Sequence, residues 1–167
     1  AELAPELIWK QLPLCQMSWG RNQWLQLKSG DAVLFDAYNA NPDSFAALFS
    51  NLNKMPSKPA RVIGVFGEML EQGSSRKKVH EELGKLAAVS PVTECFFIGV
   101  SSPEWQSGGE SAKTSKNLTT LDTYEEGLAL KIKSMLDTKS LVVIKGSRGG
   151  ALERVVQQLE PMNFSTK

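Results

Sequence analysis

The chain predicts an α/β protein: three layers around a mostly parallel sheet of about six strands, with an antiparallel hairpin strand at one edge. The first reason is a set of runs, Ala32–Phe35, Arg61–Phe66, Glu94–Val100 and Ser140–Lys145, that are apolar nearly throughout rather than alternating. Strands buried on both faces look like this. The second is that amphipathic helical stretches separate these runs, the pattern of βαβ crossovers. The third is a Gly-containing link, Ser29-Gly30-Asp31, between the strand-like runs Gln23–Lys28 and Ala32–Ala37, which reads as a hairpin. Together these describe a Rossmann-like sandwich.

In chain order, residues 3–12 (LAPELIWKQL) predict a short amphipathic helix broken at Pro13, and residues 13–21 a connector ending in Gly20-Arg21. After the hairpin, Asn41 is suited to cap a helix over 42–54, with Pro42 in the first position where its missing N–H costs nothing. Phe45, Leu48, Phe49 and Leu52 repeat at i, i+3, i+4, i+7 and form its buried face. A Gly-rich loop, GEMLEQGSS, follows the second run, and helix 75–89 places Val79, Leu83, Leu86 and Ala87 on one face. Residues 101–117 read as a polar loop, and Asn117–Leu121 as a short strand. Asp122 or Thr123 caps helix 122–136, each with a Glu three residues on in capping-box spacing. After Ser140–Lys145 comes the turn Gly146-Ser147-Arg148-Gly149-Gly150. Helix 150–160 buries Leu152, Val155, Val156 and Leu159 and stops at Pro161, leaving a frayed tail.

The totals set limits. A length of 167 residues is one ordinary domain, and 41% hydrophobic with 22% charged residues describes a soluble globular chain. A formal charge of +1 gives no electrostatic case for nucleic acid or an anionic membrane. No apolar run approaches the ~20 residues of a membrane span, and the amino terminus lacks the layout of a signal peptide. Cys15 and Cys95 form no close pair and read as reduced thiols of a cytoplasmic protein. A single histidine and no CxxC argue against a metal site. The division expected is residues 1–20 as a lead-in, 21–160 as the domain and 161–167 as a tail, in a monomer.

The functional stretch is the elbow Asp36–Ser44 (DAYNANPDS), where a strand's carboxyl end runs into a helix N-terminus; ligands of α/β sheets sit there. The loops after the parallel strands should share that rim, bringing Asp36, Tyr38, Asn39 and Asn41 near Gly67-Glu68, Gly99–Ser101 and Lys145–Arg148. A carboxylate beside Asn side chains suits ribose hydroxyls. Lys145, Arg148 and turn N–H groups suit a phosphate or carboxylate. Each residue also has an ordinary reading in turn chemistry, and Tyr38 can equally stack on a base or cover the core edge. His80 reads as a half-exposed helix residue, and Trp9, Trp19 and Trp24 as packing between lead-in and domain. No GxxxxGK[ST] and no GxGxxG occur. These residues alone describe a nucleotide- or small-acid-binding α/β domain, incomplete as an enzyme.

Three motifs in order resemble the Mur ligases, specifically the branch that adds D-alanyl-D-alanine to UDP-N-acetylmuramoyl-tripeptide. DAYNANPDS resembles the family's DSYNANP, VFGEMLEQGSSRKKVHEELG its GDMLELG loop and helix, and VVIKGSRGGALERVV its KGSR loop and terminal helix. Gly20-Arg21 falls where the family has Gly-Arg. The likeness runs from about Gly20 to Leu159. Ala37, Glu68, Gly150 and Asn22-Gln23 depart from the pattern. A folylpolyglutamate synthase would have a histidine at the place of Asn39.

The resemblance implies the carboxy-terminal domain of a cytoplasmic bacterial ligase of peptidoglycan synthesis, acting on cell wall and cell shape. Its P-loop and Mg2+ sites would lie on a missing central ATPase domain. The implied reaction uses ATP to make an acyl phosphate that the amine attacks, so this chain would be inactive alone and hold no cofactor tightly. Arg21 is then the catalytic residue and reaches the ATP phosphates, Asp36 binds the ribose, and Tyr38, Asn39 and Asn41 line the nucleotide side. Lys145, Ser147 and Arg148 face the dipeptide. The alternative is a stand-alone α/β binding module without catalysis.

Overall fold

The computed structural model describes residues 4–11, 18–113 and 116–164. Cys15, residues 12–17 of the expected helix end and connector, and the last three residues of the tail lie outside them. The described residues form a six-stranded sheet with strand order β1-β2-β6-β3-β4-β5. The strands are β1 Gln23–Gln26, β2 Ala32–Asp36, β3 Val62–Gly67, β4 Glu94–Ile98, β5 Asn117–Leu121 and β6 Leu141–Lys145. β1 pairs antiparallel with β2 at one edge, and every other pairing is parallel. The sandwich and its edge hairpin are therefore as expected.

The last strand enters the sheet between β2 and β3, so the chain reverses its direction of travel there. Helices α2 (Pro42–Asn53), α3 (Arg76–Val89) and α4 (Ser102–Ser111) cover one face. Phe45, Phe49, Leu52, Leu83, Ala87 and Trp105 pack there on Leu34, Phe66, Phe97 and Val143. Helices α5 (Gly127–Met135) and α6 (Glu153–Leu159) cover the other. Leu128, Ile132, Val155 and Val156 meet Val33, Phe35, Val65, Val142 and Ile144 on that face. Alternate residues of one strand thus feed two cores, the physical reason the runs are apolar throughout. α1 (Pro5–Gln11) leaves Leu7 and Trp9 exposed.

Four local expectations change. First, the polar stretch 101–117 contains α4, and Trp105 is fully buried. Gly108 and Gly109 hid this helix from a propensity reading; they serve its packing on α3. A Cβ at Gly84 would collide with the Trp105 carbonyl, and one at Gly108 with the Glu81 carbonyl. Second, no side chain caps α5, which begins at Gly127; residues 122–126 are consumed in carrying the chain from the β5 end to the opposite face. Third, Leu86 is exposed, and the buried stripe of α3 runs through His80, Leu83, Gly84, Ala87 and Ala88. Fourth, residues 162–164 are docked. The Met162 N–H donates to the Gln26 carbonyl (2.9 Å), the Gln26 N–H donates to Asn163 Oδ1 (3.3 Å), and Phe164 sits edge-on to Phe35.

Of the tryptophans, Trp19 meets Phe35 edge-on at 5.4 Å, whereas Trp9 and Trp24 are exposed. Burial pushes the Cys95 thiol up to about 12, which keeps it protonated and inert. Lys116 donates to the Ala87 and Ser90 carbonyls, placing a cation at the negative end of α3.

The α3–α4 contact gives a paired prediction. Gly108→Ala should destabilise by about 1–3 kcal/mol through overpacking against backbone that cannot yield. Gly127→Ala, where a Cβ meets nothing within 4 Å, should be neutral or stabilising by up to about 1 kcal/mol. Urea unfolding midpoints of the two variants decide it.

Candidate functional site

The register that slots β6 beside β2 places Asp36 directly opposite Lys145 at the carboxyl end of the sheet. Lys145 Nζ donates to Asp36 Oδ2 at 2.6 Å and lies 3.5 Å from the Asn39 carbonyl oxygen. The lysine is 1% exposed and its ammonium sits over the Phe45 ring of α2. A charge buried this far needs its counter-charge. Lys145 is therefore turned to Asp36, and contact with a peptide would require opening that pair. Asp36 Oδ1 accepts the Asn22 N–H at 3.2 Å.

The turn before β1 is fastened to the same elbow. The Tyr38 N–H donates to the Gly20 carbonyl (2.9 Å), and the Gly20 N–H donates to Gln23 Oε1 (2.8 Å). Gly20 has φ +71, and a Cβ there would stand 3.3 Å from Tyr38 Cβ. Only glycine meets both demands without strain. That turn carries Arg21, whose guanidinium carbon lies 4.7 Å from the Tyr38 ring centre. The turn after β6 brings Arg148 to the same ring at 5.4 Å, and to Trp19 at 5.8 Å. Arg21, Tyr38 and Arg148 line one open cleft of about 380 Å³ with Ser18, Trp19, Glu153 and Gln157. Two guanidiniums held on aromatic faces present donors and positive charge suited to a phosphate or carboxylate.

Asn39 and Asn41 share the elbow but use side-chain oxygens locally. Asn39 Oδ1 accepts the Ala40 N–H (2.9 Å), and Asn41 caps α2 by accepting the Ser44 N–H (2.8 Å). Ser147 lies away from the guanidinium cleft, buried, its Oγ accepting the Leu70 N–H at 3.1 Å. The structure thus unites Arg21, Tyr38 and Arg148 in one cleft and Asp36, Lys145 and Asn39 in the adjoining pair, with Ser147 facing a third group.

Of that third group the sequence placed Glu68 and Ser101 on the rim, but not Arg76 or His80. Glu68 accepts from Ser101 Oγ (2.7 Å) and from Arg76 (3.3 Å). The expectation of a half-exposed His80 is overturned: the ring is 0% exposed. Its Nε2 accepts the Met69 N–H (3.1 Å), while Nδ1 lies 2.7 Å from the Arg76 carbonyl oxygen. A carbonyl only accepts and an amide N–H only donates, so the proton must sit on Nδ1. The stripe 80, 83, 84, 87 was visible at helical spacing, but a His and a Gly in it do not register as apolar. Among the described residues no group of three or more His, Cys, Asp or Glu could hold a metal ion, and no helix is long and apolar enough to cross a membrane.

Paired charge at a strand-order reversal, beside an arginine-lined cleft at strand ends, defines an α/β domain whose carboxyl rim has the chemistry suited to an anionic ligand. Residues 20–148 match the family described as Mur ligase, glutamate ligase domain, and the chain belongs to that family. Among its relatives, the UDP-N-acetylmuramoyl-tripeptide–D-alanyl-D-alanine ligase of Treponema pallidum is 34% identical over 131 residues, 77% of this chain and 27% of that protein. The Rickettsia prowazekii enzyme of the same name is 28% identical over 90% of this chain and 32% of its own length. Among solved structures, MurF from Acinetobacter baumannii superposes with TM-score 0.78 at 26% identity, over 94% of this chain and 33% of that one. MurF from Thermotoga maritima in complex with ADP gives 0.68 at 28%, over 87% and 31%. The chain spans about a third of the length of these relatives.

Two outcomes follow. Lys145→Met should cost about 3 kcal/mol, because it strands a partly buried Asp36 carboxylate. The Lys145→Met, Asp36→Asn double variant should recover part of that loss in denaturant unfolding. The second concerns acid. Burial beside Trp105 lowers the His80 value below 6.5, against the opposing pull of Glu68 and Glu104 and with a smaller lowering from Arg76. The unfolded chain therefore binds a proton that the folded one resists. Stability should hold above pH ~6.5 and decline as pH falls below it. His80 is the sole histidine, so His80→Gln should flatten the slope between pH ~7 and ~5.5 in unfolding midpoints.

Proposed function

We propose that this chain is the carboxy-terminal domain of an ATP-dependent amide ligase that adds D-alanyl-D-alanine to UDP-N-acetylmuramoyl-tripeptide in peptidoglycan precursor synthesis. The observation that carries this reading is the Asp36–Lys145 contact at 2.6 Å. It joins the DAYNAN elbow to the KGSR loop at one strand-order reversal, in a chain whose relatives carry that enzyme's name. On this reading the missing two thirds supply the P-loop and Mg2+, the reaction runs in the cytoplasm, and the fragment alone does not turn over.

The nucleotide fits the residues present. Arg21, held on Tyr38, reaches toward the phosphates and offsets charge that builds as the γ-phosphoryl moves to the carboxylate. Asp36 keeps acceptor capacity for ribose hydroxyls while Lys145 fixes its orientation from below. The Asn39 and Asn41 amide groups complete that side. Arg148 stands toward the incoming dipeptide, and the Ser147 hydroxyl, which accepts the Leu70 N–H, holds the loop that carries it. A smaller recess of about 180 Å³ bounded by Glu68, Gly99, Asp122 and Gly149 opens beside them. The domain's part is to position the amine and to stabilise charge, not to form covalent bonds to substrate.

The test is phosphate release by the full-length polypeptide that contains this chain, supplied with Mg-ATP, UDP-N-acetylmuramoyl-tripeptide and D-alanyl-D-alanine. Release should depend on the dipeptide, and Arg21→Ala should lower kcat about 10²–10³-fold with the unfolding midpoint unchanged. Dipeptide-independent release, or near-normal turnover in the variant, would overturn the assignment. The isolated 167-residue chain should bind Mg-ATP weakly or not at all by calorimetry; tight binding would favour a self-sufficient binding module.

A further inference from the structure

We propose that His80 is a positioning residue: through Met69 and Leu70 it holds the loop after β3 against the loop after β6, and so sets where Ser147 and Arg148 stand. This rests on the reading above for its functional consequence, though not for the latch itself.

The observations form a chain of contacts. His80 projects from α3 beneath the rim and takes the Met69 N–H on Nε2. Met69 is 1% exposed, so without the ring that N–H would be buried and unsatisfied. The next residue, Leu70, donates its N–H to Ser147 Oγ (3.1 Å), and the Ser147 N–H returns to the Glu68 carbonyl (3.2 Å). The loops also approach each other closely. A Cβ on Gly146 would come within 2.9 Å of Gly67 Cα, and one on Gly149 within 2.8 Å of Leu70 Cδ1. Glu68 is itself fixed, its N–H donating to the Ile98 carbonyl (3.1 Å) and its carboxylate accepting from Ser101 and Arg76. One imidazole therefore supports a reciprocal two-bond clamp between two loops that are far apart in sequence. Its Nδ1–H, held by the Arg76 carbonyl of its own helix, dictates that Nε2 is bare and able to accept. The ring's two hydrogen bonds go to Met69 and Arg76, not to Ser147 or Arg148. It acts through Met69.

Two substitutions separate the ring's two bonds. A glutamine at this position can bring Oε1 to where Nε2 stands and still accept from Met69. An asparagine is shorter and reaches only the Arg76 carbonyl. In the 167-residue chain, 15N shifts of the His80 ring report the tautomer, and amide exchange reports the clamp. The expected result is the Nδ1–H tautomer in the unmodified chain. His80→Asn should speed exchange at the Leu70 and Ser147 amides roughly tenfold while Val143 in β6 is unchanged, and His80→Gln should restore protection. An Nε2–H tautomer, no rescue by glutamine, or a uniform rise across all amides would overturn the proposal. If His80→Asn does not fold, the unmodified chain decides. The Nδ1–H tautomer with Met69 and Leu70 exchanging in concert supports the latch, and independent exchange refutes it.

In the full-length ligase, His80→Asn should raise KM for the dipeptide roughly tenfold, with KM for ATP unchanged and glutamine restoring the original value. An active enzyme whose dipeptide KM does not move would overturn the positioning role. An enzyme with no dipeptide-dependent turnover would instead reject the functional reading and leave the exchange measurements to decide the latch.

Discussion

The rim depends on one buried charge pair. Lys145 ends a strand that is otherwise wholly apolar, and an ammonium 1% exposed is tolerated only because Asp36 stands 2.6 Å away on the neighbouring strand. The pairing exists because β6, last in sequence, inserts between β2 and β3 with Asp36 and Lys145 in register. A slip of one residue would turn Lys145 toward the α5–α6 core and leave Asp36 alone. The charge pair and the strand order therefore specify each other. Both arginines of the cleft extend from turns tied to these two strand ends.

Beneath that pair the sheet rests on an aromatic cluster. Phe45, Phe66, Phe97 and Trp105 contact one another at centroid separations of 5.0–6.2 Å, with Phe66 and Phe97 stacked on Trp105. Lys145 sits over Phe45 at one end of this cluster, and His80 meets Trp105 edge-on at the other. The polar residues that carry the rim loops are thus seated on large, stiff side chains with few rotamers, which keeps loop positions well defined. α4 contributes Trp105 and the glycines that let it approach α3, so a segment without obvious amphipathicity fixes the depth of the rim.

All six strands were legible: four because strands buried on both faces leave long apolar runs, β1 through the Gly-containing link that marks the hairpin edge, and β5 as a short run before the next crossover. The elbow was legible for a different reason: Asn41-Pro42 is a start signal with a mechanism, and the cap forms with Asn41 and Ser44 bonding reciprocally. What was not legible depended on partners remote in sequence. Gly108 and Gly109 read as helix breakers until α4 is seen to need close approach to α3. Asp122 and Thr123 carried a capping-box spacing that the crossover from β5 overrode. His80 looked like a surface residue because its acceptor and donor partners, the Met69 N–H and the Arg76 carbonyl, are backbone groups that no side-chain pattern announces. Lys145 was read as a ligand contact, and its burial against Asp36 needed the strand order to be known.

The charges of the rim divide into two kinds. Asp36, Lys145, Glu68 and Arg76 are matched with one another, so their electrostatics hold the loops in place. Arg21 and Arg148 are exposed, and among the described residues they meet aromatic faces rather than carboxylates. Stacking orients a guanidinium and restricts its rotamers while leaving its in-plane N–H donors unused. An arginine already paired to a carboxylate would have to give up that partner before taking an anionic ligand. One stacked on Tyr38 needs only to shed water, and part of its conformational entropy is already lost before binding. The single tyrosine between the two arginines therefore does for the ligand-facing charges what the Lys145–Asp36 pair does for the structural ones: it fixes their direction without neutralising them.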